Sequence, residues 1–128
     1  MTEVRTRGRI EHVNLSVSDI ERSAQLFEDL LGWRKRWRGV AGGGAGETIH
    51  VGEEDTYLAL YSDGSDQSGQ RKGRPMNHVG LLVDDLAEAE AVVKCHDLKP
   101  FGHDDYDPGR RFYFFDWDGI EFEVVSYE

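Results

Sequence analysis

Little in the sequence ties the chain to an oxidising compartment, a membrane or a polyanion. Cys95 is the single cysteine, so no disulfide can close within the chain, which is compatible with a reducing cytoplasm. No apolar run approaches the roughly 20 residues that a bilayer-spanning helix needs. The N-terminal Met1-Thr2-Glu3-Val4-Arg5 is charged and has no apolar stretch behind it, which argues against a secretory signal. Positive charge is in deficit: 15 Lys and Arg stand against 25 Asp and Glu, a formal net charge of −10. Nucleic-acid binding needs basic surface to neutralise phosphates, and this field has the wrong sign. The one basic cluster, Arg34, Lys35, Arg36 and Arg38, alternates with Trp33 and Trp37 and reads as a strand with a solvated face. The expectation is a cytoplasmic protein with neither a membrane nor a nucleic-acid partner.

What is present suffices for one core. The 128 residues are 38% apolar and 31% charged, which fits a single globular domain over 1–128. The chain also repeats itself. His12-Val13-Asn14-Leu15-Ser16-Val17-Ser18-Asp19-Ile20 is echoed by His78-Val79-Gly80-Leu81-Leu82-Val83-Asp84-Asp85-Leu86, so one structural unit is used twice. In each copy aliphatic residues alternate with histidine and small or polar groups, the period of a strand with one apolar face. A helix follows. In the first copy Ser18 is placed to cap it with Glu21 completing a capping box. Ile20, Ala24, Phe27 and Leu31 form its apolar stripe, and Gly32 ends it. The second helix starts near Asp84, buries Leu86, Ala89 and Val93, and must stop near Lys99 because Pro100 disfavours helix before it.

Strands then follow: Trp33 to Arg38, Thr48 to Val51 and Thr56 to Tyr61 in unit one, about 10–61. A Ser-, Gly- and Asp-rich stretch over 62–75 has the composition of a flexible linker. Unit two, about 76–126, continues with a short strand near Phe101, then Arg111 to Asp116 and Ile120 to Ser126. Gly119 supplies the positive φ of the turn between those last two. The glycine run 39–46 lacks the lysine and hydroxyl residue of a phosphate-binding loop and reads as a flexible connection. His50 alternates with Ile49 and Val51, which allows it to face a cavity, but no motif supports a role.

These motifs, with Tyr113-Phe114-Phe115-Asp116-Trp117-Asp118-Gly119-Ile120-Glu121-Phe122-Glu123, resemble the glyoxalase, bleomycin-resistance and extradiol dioxygenase superfamily, the vicinal oxygen chelate proteins. The resemblance runs from about Ile10 to Val125. It implies an α+β fold of two βαβββ units whose curled mixed sheets surround an open cavity, and a homodimer. It implies one metal ligand from the first strand and one from the fourth strand of each unit, which falls on His12, His78 and Glu123. The fourth position, opposite Glu123 in the repeat, is Ala59, which cannot ligate.

Two histidines and a carboxylate suit Fe(II), with Mn, Ni, Co or Zn also possible. Glu121 shares a strand face with Glu123 and is its rival. Tyr113 and His103 are candidate catalytic residues by the same resemblance, each against a bland alternative: a packed strand residue for Tyr113 and a solvated loop residue for His103. The implied function is metal-dependent chemistry on a small oxygen-chelating substrate, with extradiol cleavage in front. Glyoxalase-type lyase or isomerase chemistry, thiol transfer to an epoxide, and metal-free ligand binding of the bleomycin-resistance kind remain open.

Overall fold

The computed structural model describes residues 6–40, 44–69, 75–104 and 109–128. Parts of three predicted connections therefore lie outside the described residues: 41–43 of the glycine run, 70–74 of the linker and 105–108 of the loop after His103.

The two expected units are present. The first runs β1 (His12–Ser16), α1 (Ile20–Leu31), β2 (Arg34–Val40), β3 (Glu47–Gly52) and β4 (Tyr57–Ser62). The second runs β5 (Val79–Leu82), α2 (Leu86–Cys95), β6 (Phe101–Asp104), β7 (Arg110–Phe115) and β8 (Glu121–Ser126). Each unit makes one four-stranded sheet, in order β1-β4-β3-β2 and β5-β8-β7-β6. In each, the first strand lies parallel to the last and the remaining pairs are antiparallel. The first strands β1 and β5 are therefore edges of their sheets.

Alternation decides which face is buried. Leu15, Ile49, Val51, Leu58 and Leu60 of the first sheet share one core with Leu81, Phe112, Phe114, Phe122 and Val124 of the second. Both helices sit in that core. Phe27 of α1 meets Phe122 of β8, their ring centres 5.2 Å apart. His96 just past α2 reaches Asp29 on α1 at 2.8 Å. Because α1 packs on both sheets and on α2, its buried surface includes Ser23, Leu26 and Leu30, a wider stripe than periodicity alone suggested. The other face of each sheet points away from the common core.

The first helix is capped one residue later than the sequence suggests. Asp19 accepts the Arg22 amide at 3.1 Å, and Asp85 does the same for Glu88 in α2 at 3.0 Å. Ser18 is engaged elsewhere: its amide and its hydroxyl both donate to the Asp118 carboxylate, tying the start of α1 to the β7–β8 turn across the two units. A buried carboxylate needs donors, and this one takes the serine from its capping position. The second helix ends at Cys95, short of Lys99, where Asp97 turns to φ 60°. Gly32 and Gly119 do adopt positive φ, at 68° and 86°.

Asp116 is the costly residue of that turn. Its Oδ1 accepts the amides of Asp118 and Ile120, each at 2.9 Å, yet burial, with the neighbouring Asp118 charge adding to it, pushes its pKa up to about 6. An acid raised in the folded state binds more protons folded than unfolded between the two pKa values, so its contribution to stability falls as pH rises through that window. Asp116→Asn keeps the acceptor oxygen and removes the charge. The stability of this variant relative to wild type should rise by about 2–3 kcal/mol between about pH 4 and about pH 6.5, measured by urea unfolding. A difference that does not move with pH would show that Asp116 is not a strained carboxylate.

Candidate metal centre

The open faces carry the expected donors. On the second sheet, Glu123 of β8 lies opposite Tyr113 of β7. His78, just before β5, places Nε2 3.0 Å from Glu123 Oε1. Glu121 is almost wholly buried, and its closest approach to the histidine is 3.9 Å, at Nδ1. Of the two rival carboxylates, Glu123 is the one brought to Nε2. Tyr113 stands edge-on to His78, ring centres 5.9 Å apart, within the same site. His103 is not brought there: its Nε2 pairs with Glu90 of α2 at 2.8 Å, in a groove with Leu86 and Ala87.

On the first sheet His12 opens β1, paired in register with Tyr57 of β4. The rings of His12, Tyr57 and His50 stack in succession, with centres 4.8 and 4.5 Å apart. Trp37 follows, 5.1 Å from His50. A register shift between Lys35 and Trp37 breaks the regular alternation expected of β2, and Arg36 lies over the Tyr57 ring at 4.4 Å rather than on a purely solvated face. Trp37 can lie down only because Gly39 is a glycine; a Cβ there would sit 2.5 Å from the indole.

Each expected ligand has its rear atom held. Glu11 Oε1 lies 2.9 Å from Nδ1 of His12. Asn77 Oδ1 lies 2.8 Å from Nδ1 of His78. Arg111 Nη1 donates to Glu123 Oε2 at 2.9 Å. The contact to His12, ahead of a second from the Tyr57 hydroxyl, holds the Glu11 carboxyl below its ordinary range against its partial desolvation. With Nδ1 engaged on both histidines, an ion would be met through Nε2, on His78 in place of its present contact with Glu123 Oε1. Fixing tautomer and orientation in this way is what outer partners of metal ligands do, so the donor set fits a divalent ion. Glu11, Asn77 and Arg111 were not singled out from the sequence. The signal existed for two of them, since each holds the position immediately before a repeat histidine.

The three donors do not meet in one chain. Among the described residues no group of three His, Cys, Asp or Glu side chains converges on a common point. His12 stands on the first sheet and the pair His78–Glu123 on the second.

A family model described as the Glyoxalase/Bleomycin resistance protein/Dioxygenase superfamily matches residues 9–124. The chain belongs to that superfamily. No curated protein sequence matches it. Solved structures share the superfamily fold with it at low identity. A glyoxylase/bleomycin resistance protein/dioxygenase domain from Frankia sp. EAN1pec is 20% identical with a TM-score of 0.79, over 94% of this chain and 98% of that one. The fosfomycin resistance protein FosX from Listeria monocytogenes, complexed with Mn(II) and sulfate, is 15% identical with a TM-score of 0.72, over 94% and 93%. The trypanothione-dependent glyoxalase I of Leishmania major is 20% identical with a TM-score of 0.76, over 94% and 88%.

Calorimetric titration with Mn(II) or Zn(II) separates the carboxylates in this superfamily member. Glu123→Gln should lose affinity well beyond the roughly 10–100-fold that an outer-partner change costs, whereas Asn77→Leu should fall within that range. Glu121→Gln should lose less than Glu123→Gln. The reverse ranking of the two glutamates would move the ligand to Glu121.

Proposed function

We propose that the chain is a divalent-metal-dependent enzyme acting on a small substrate that binds through two neighbouring oxygens, and that two copies build each site. His12 of one copy joins His78 and Glu123 of the other. The observation that carries this reading is the matched presentation of three donors, each with its rear atom held, while among the described residues no three such groups converge. The edges support it too. β1 and β5 border one cleft with Leu31 and Trp33 at its side, and exposed Ile10 and Leu82 flank or form those edges. Unpaired edges with apolar side chains invite a second copy. The Mn(II) named for the Listeria FosX structure supports divalent-metal chemistry on this fold.

A divalent ion on two imidazoles and one carboxylate leaves three octahedral positions and supplies Lewis acidity and a template for two oxygens. Fe(II) leads, with Mn, Ni, Co and Zn as alternatives. The chain's own residues do the rest: Glu11 and Asn77 orient the imidazoles, Arg111 holds Glu123 to one oxygen, and Tyr113 lies beside His78 where it can contact the substrate. At Ala59 the methyl removes a fourth ligand, which favours extradiol-type ring cleavage of a catechol over glyoxalase-type isomerisation; thiol transfer to an epoxide is the other three-ligand alternative. His103 receives no role, because Glu90 holds it against α2. A second reading, metal-free ligand binding, has one observation in its favour: Arg111 and His78 together satisfy Glu123 with no ion. Metal content of protein purified without added metal separates the two.

Oxygen uptake with Fe(II) and a panel of catechols tests the enzymatic reading. Wild type should consume oxygen, and His12→Ala and Glu123→Ala should each lose activity. A mixture of the two, after subunit exchange, should regain part of it, because some mixed dimers carry one intact site. No recovery despite demonstrated exchange would place each site within one chain.

A further inference from the structure

All five histidines of the chain are among the described residues, and four have a polar partner. His12 has Glu11, His78 has Asn77 and Glu123, His96 has Asp29 and His103 has Glu90. His50 is the exception. Among the described residues neither of its ring nitrogens has a hydrogen-bond partner, although the ring is half-buried on the open face. The ring stacks on Tyr57 and meets Trp37 at a tilt, so the side chain is held by ring contacts while its nitrogens stay uncommitted. A half-buried imidazole fixed by ring contacts alone has its donor and acceptor positions available to a ligand.

Its place in the sheet gives that availability a direction. His50 pairs across the ladder with Ala59, and Ala59 pairs on its other side with Asn14. Ala59 contributes only a buried methyl to this row. The row's polar chemistry is left to Asn14 and His50. His12 and His50 both stack on Tyr57, with ring centres 4.8 and 4.5 Å from it, so the two imidazoles share one stretch of the open face.

We propose that His50 is the proton-accepting residue of the site, taking the proton from a hydroxyl of the bound oxygen-chelating ligand. This rests on the metal-site reading above. The ligand O–H bond breaks and an N–H bond forms on the imidazole, so an anionic oxygen and an imidazolium replace two neutral groups. The proton stays within the complex until product or solvent takes it. The surroundings suit the task. Burial, together with the charges of His12 and Arg36, outweighs Glu11 and lowers the His50 pKa, so the ring is a neutral base before the ligand arrives. The groups that face it are Glu11 and His12 from the β1 side, Arg36 and Trp37 from β2, and Tyr57 from β4. The Tyr57 phenol is itself raised, by burial and then by Glu11, and stays protonated, so it does not compete for the proton.

The test uses full-length protein loaded with redox-inert Zn(II) and 4-nitrocatechol, whose visible spectrum reports its ionisation. His50→Gln removes the base, and His50→Phe removes it while keeping the stack on Tyr57. Both variants should bind Zn(II) as wild type does. Calorimetry in buffers of different ionisation enthalpy should show about one more proton released per site on 4-nitrocatechol binding than in wild type, because none is retained on residue 50. The pH at which the bound diol ionises should rise in both, by on the order of one unit. Normal Zn(II) binding with unchanged proton release in both variants would overturn the role of His50 alone. Failure of wild type to bind Zn(II) would overturn the metal site and this proposal with it.

Discussion

A strand has two faces, and in both units one of them is committed to the core around α1 and α2. The site follows from that commitment. With Val13 and Leu15 of β1 and Phe122 and Val124 of β8 turned inward, the alternate residues of the same strands must face outward, and these include His12 and Glu123. The shared core joins the two sheets through their apolar faces, and β1 and β5 are sheet edges beside one cleft. In the proposed assembly, a second copy pairing with those edges would also bring complementary donors together, so that assembly and ligand geometry would be one problem.

The half-sites are prepared in different ways. On the second sheet His78, Glu123 and Arg111 form a continuous polar chain. On the first sheet the surroundings are aromatic: Tyr57 meets two imidazoles and a guanidinium, which restrains His12 by stacking as well as through Glu11. The first arrangement presents a carboxylate at a controlled angle. The second leaves a neutral imidazole, His50, with uncommitted nitrogens in a wall of rings.

Much of the fold was legible because the repeat and the period-two alternation are local signals. Elements, turn glycines and the outward face of His12 and Glu123 could all be read from Val13-Asn14-Leu15 and Phe122-Glu123-Val124 patterns. The superfamily was legible from the same motifs. The capping residue of α1 was misplaced because Ser18 answers a demand from Asp118, a hundred residues away. His103 was a candidate by family resemblance, against a solvated loop residue, whereas the short strand β6 hands it to Glu90 of a helix. Arg111, Asn77 and the unpartnered state of His50 depend on who stands beside whom across strands, which spacing along one chain does not specify. Whether one chain or two would complete the site was likewise invisible, since it turns on how α1 and α2 pack.

The central claim is that ion binding and assembly are coupled. Sedimentation velocity across a range of protein concentrations, with and without saturating Zn(II), tests it directly. A ligand bound only by the assembled form must tighten assembly. Zn(II) should shift the monomer–dimer midpoint to lower concentration in wild type, with two ions bound per dimer, and His12→Ala should abolish both the tight binding and the shift. Tight one-to-one binding by a monomer, with no effect of Zn(II) on the midpoint, would contradict a site shared between copies.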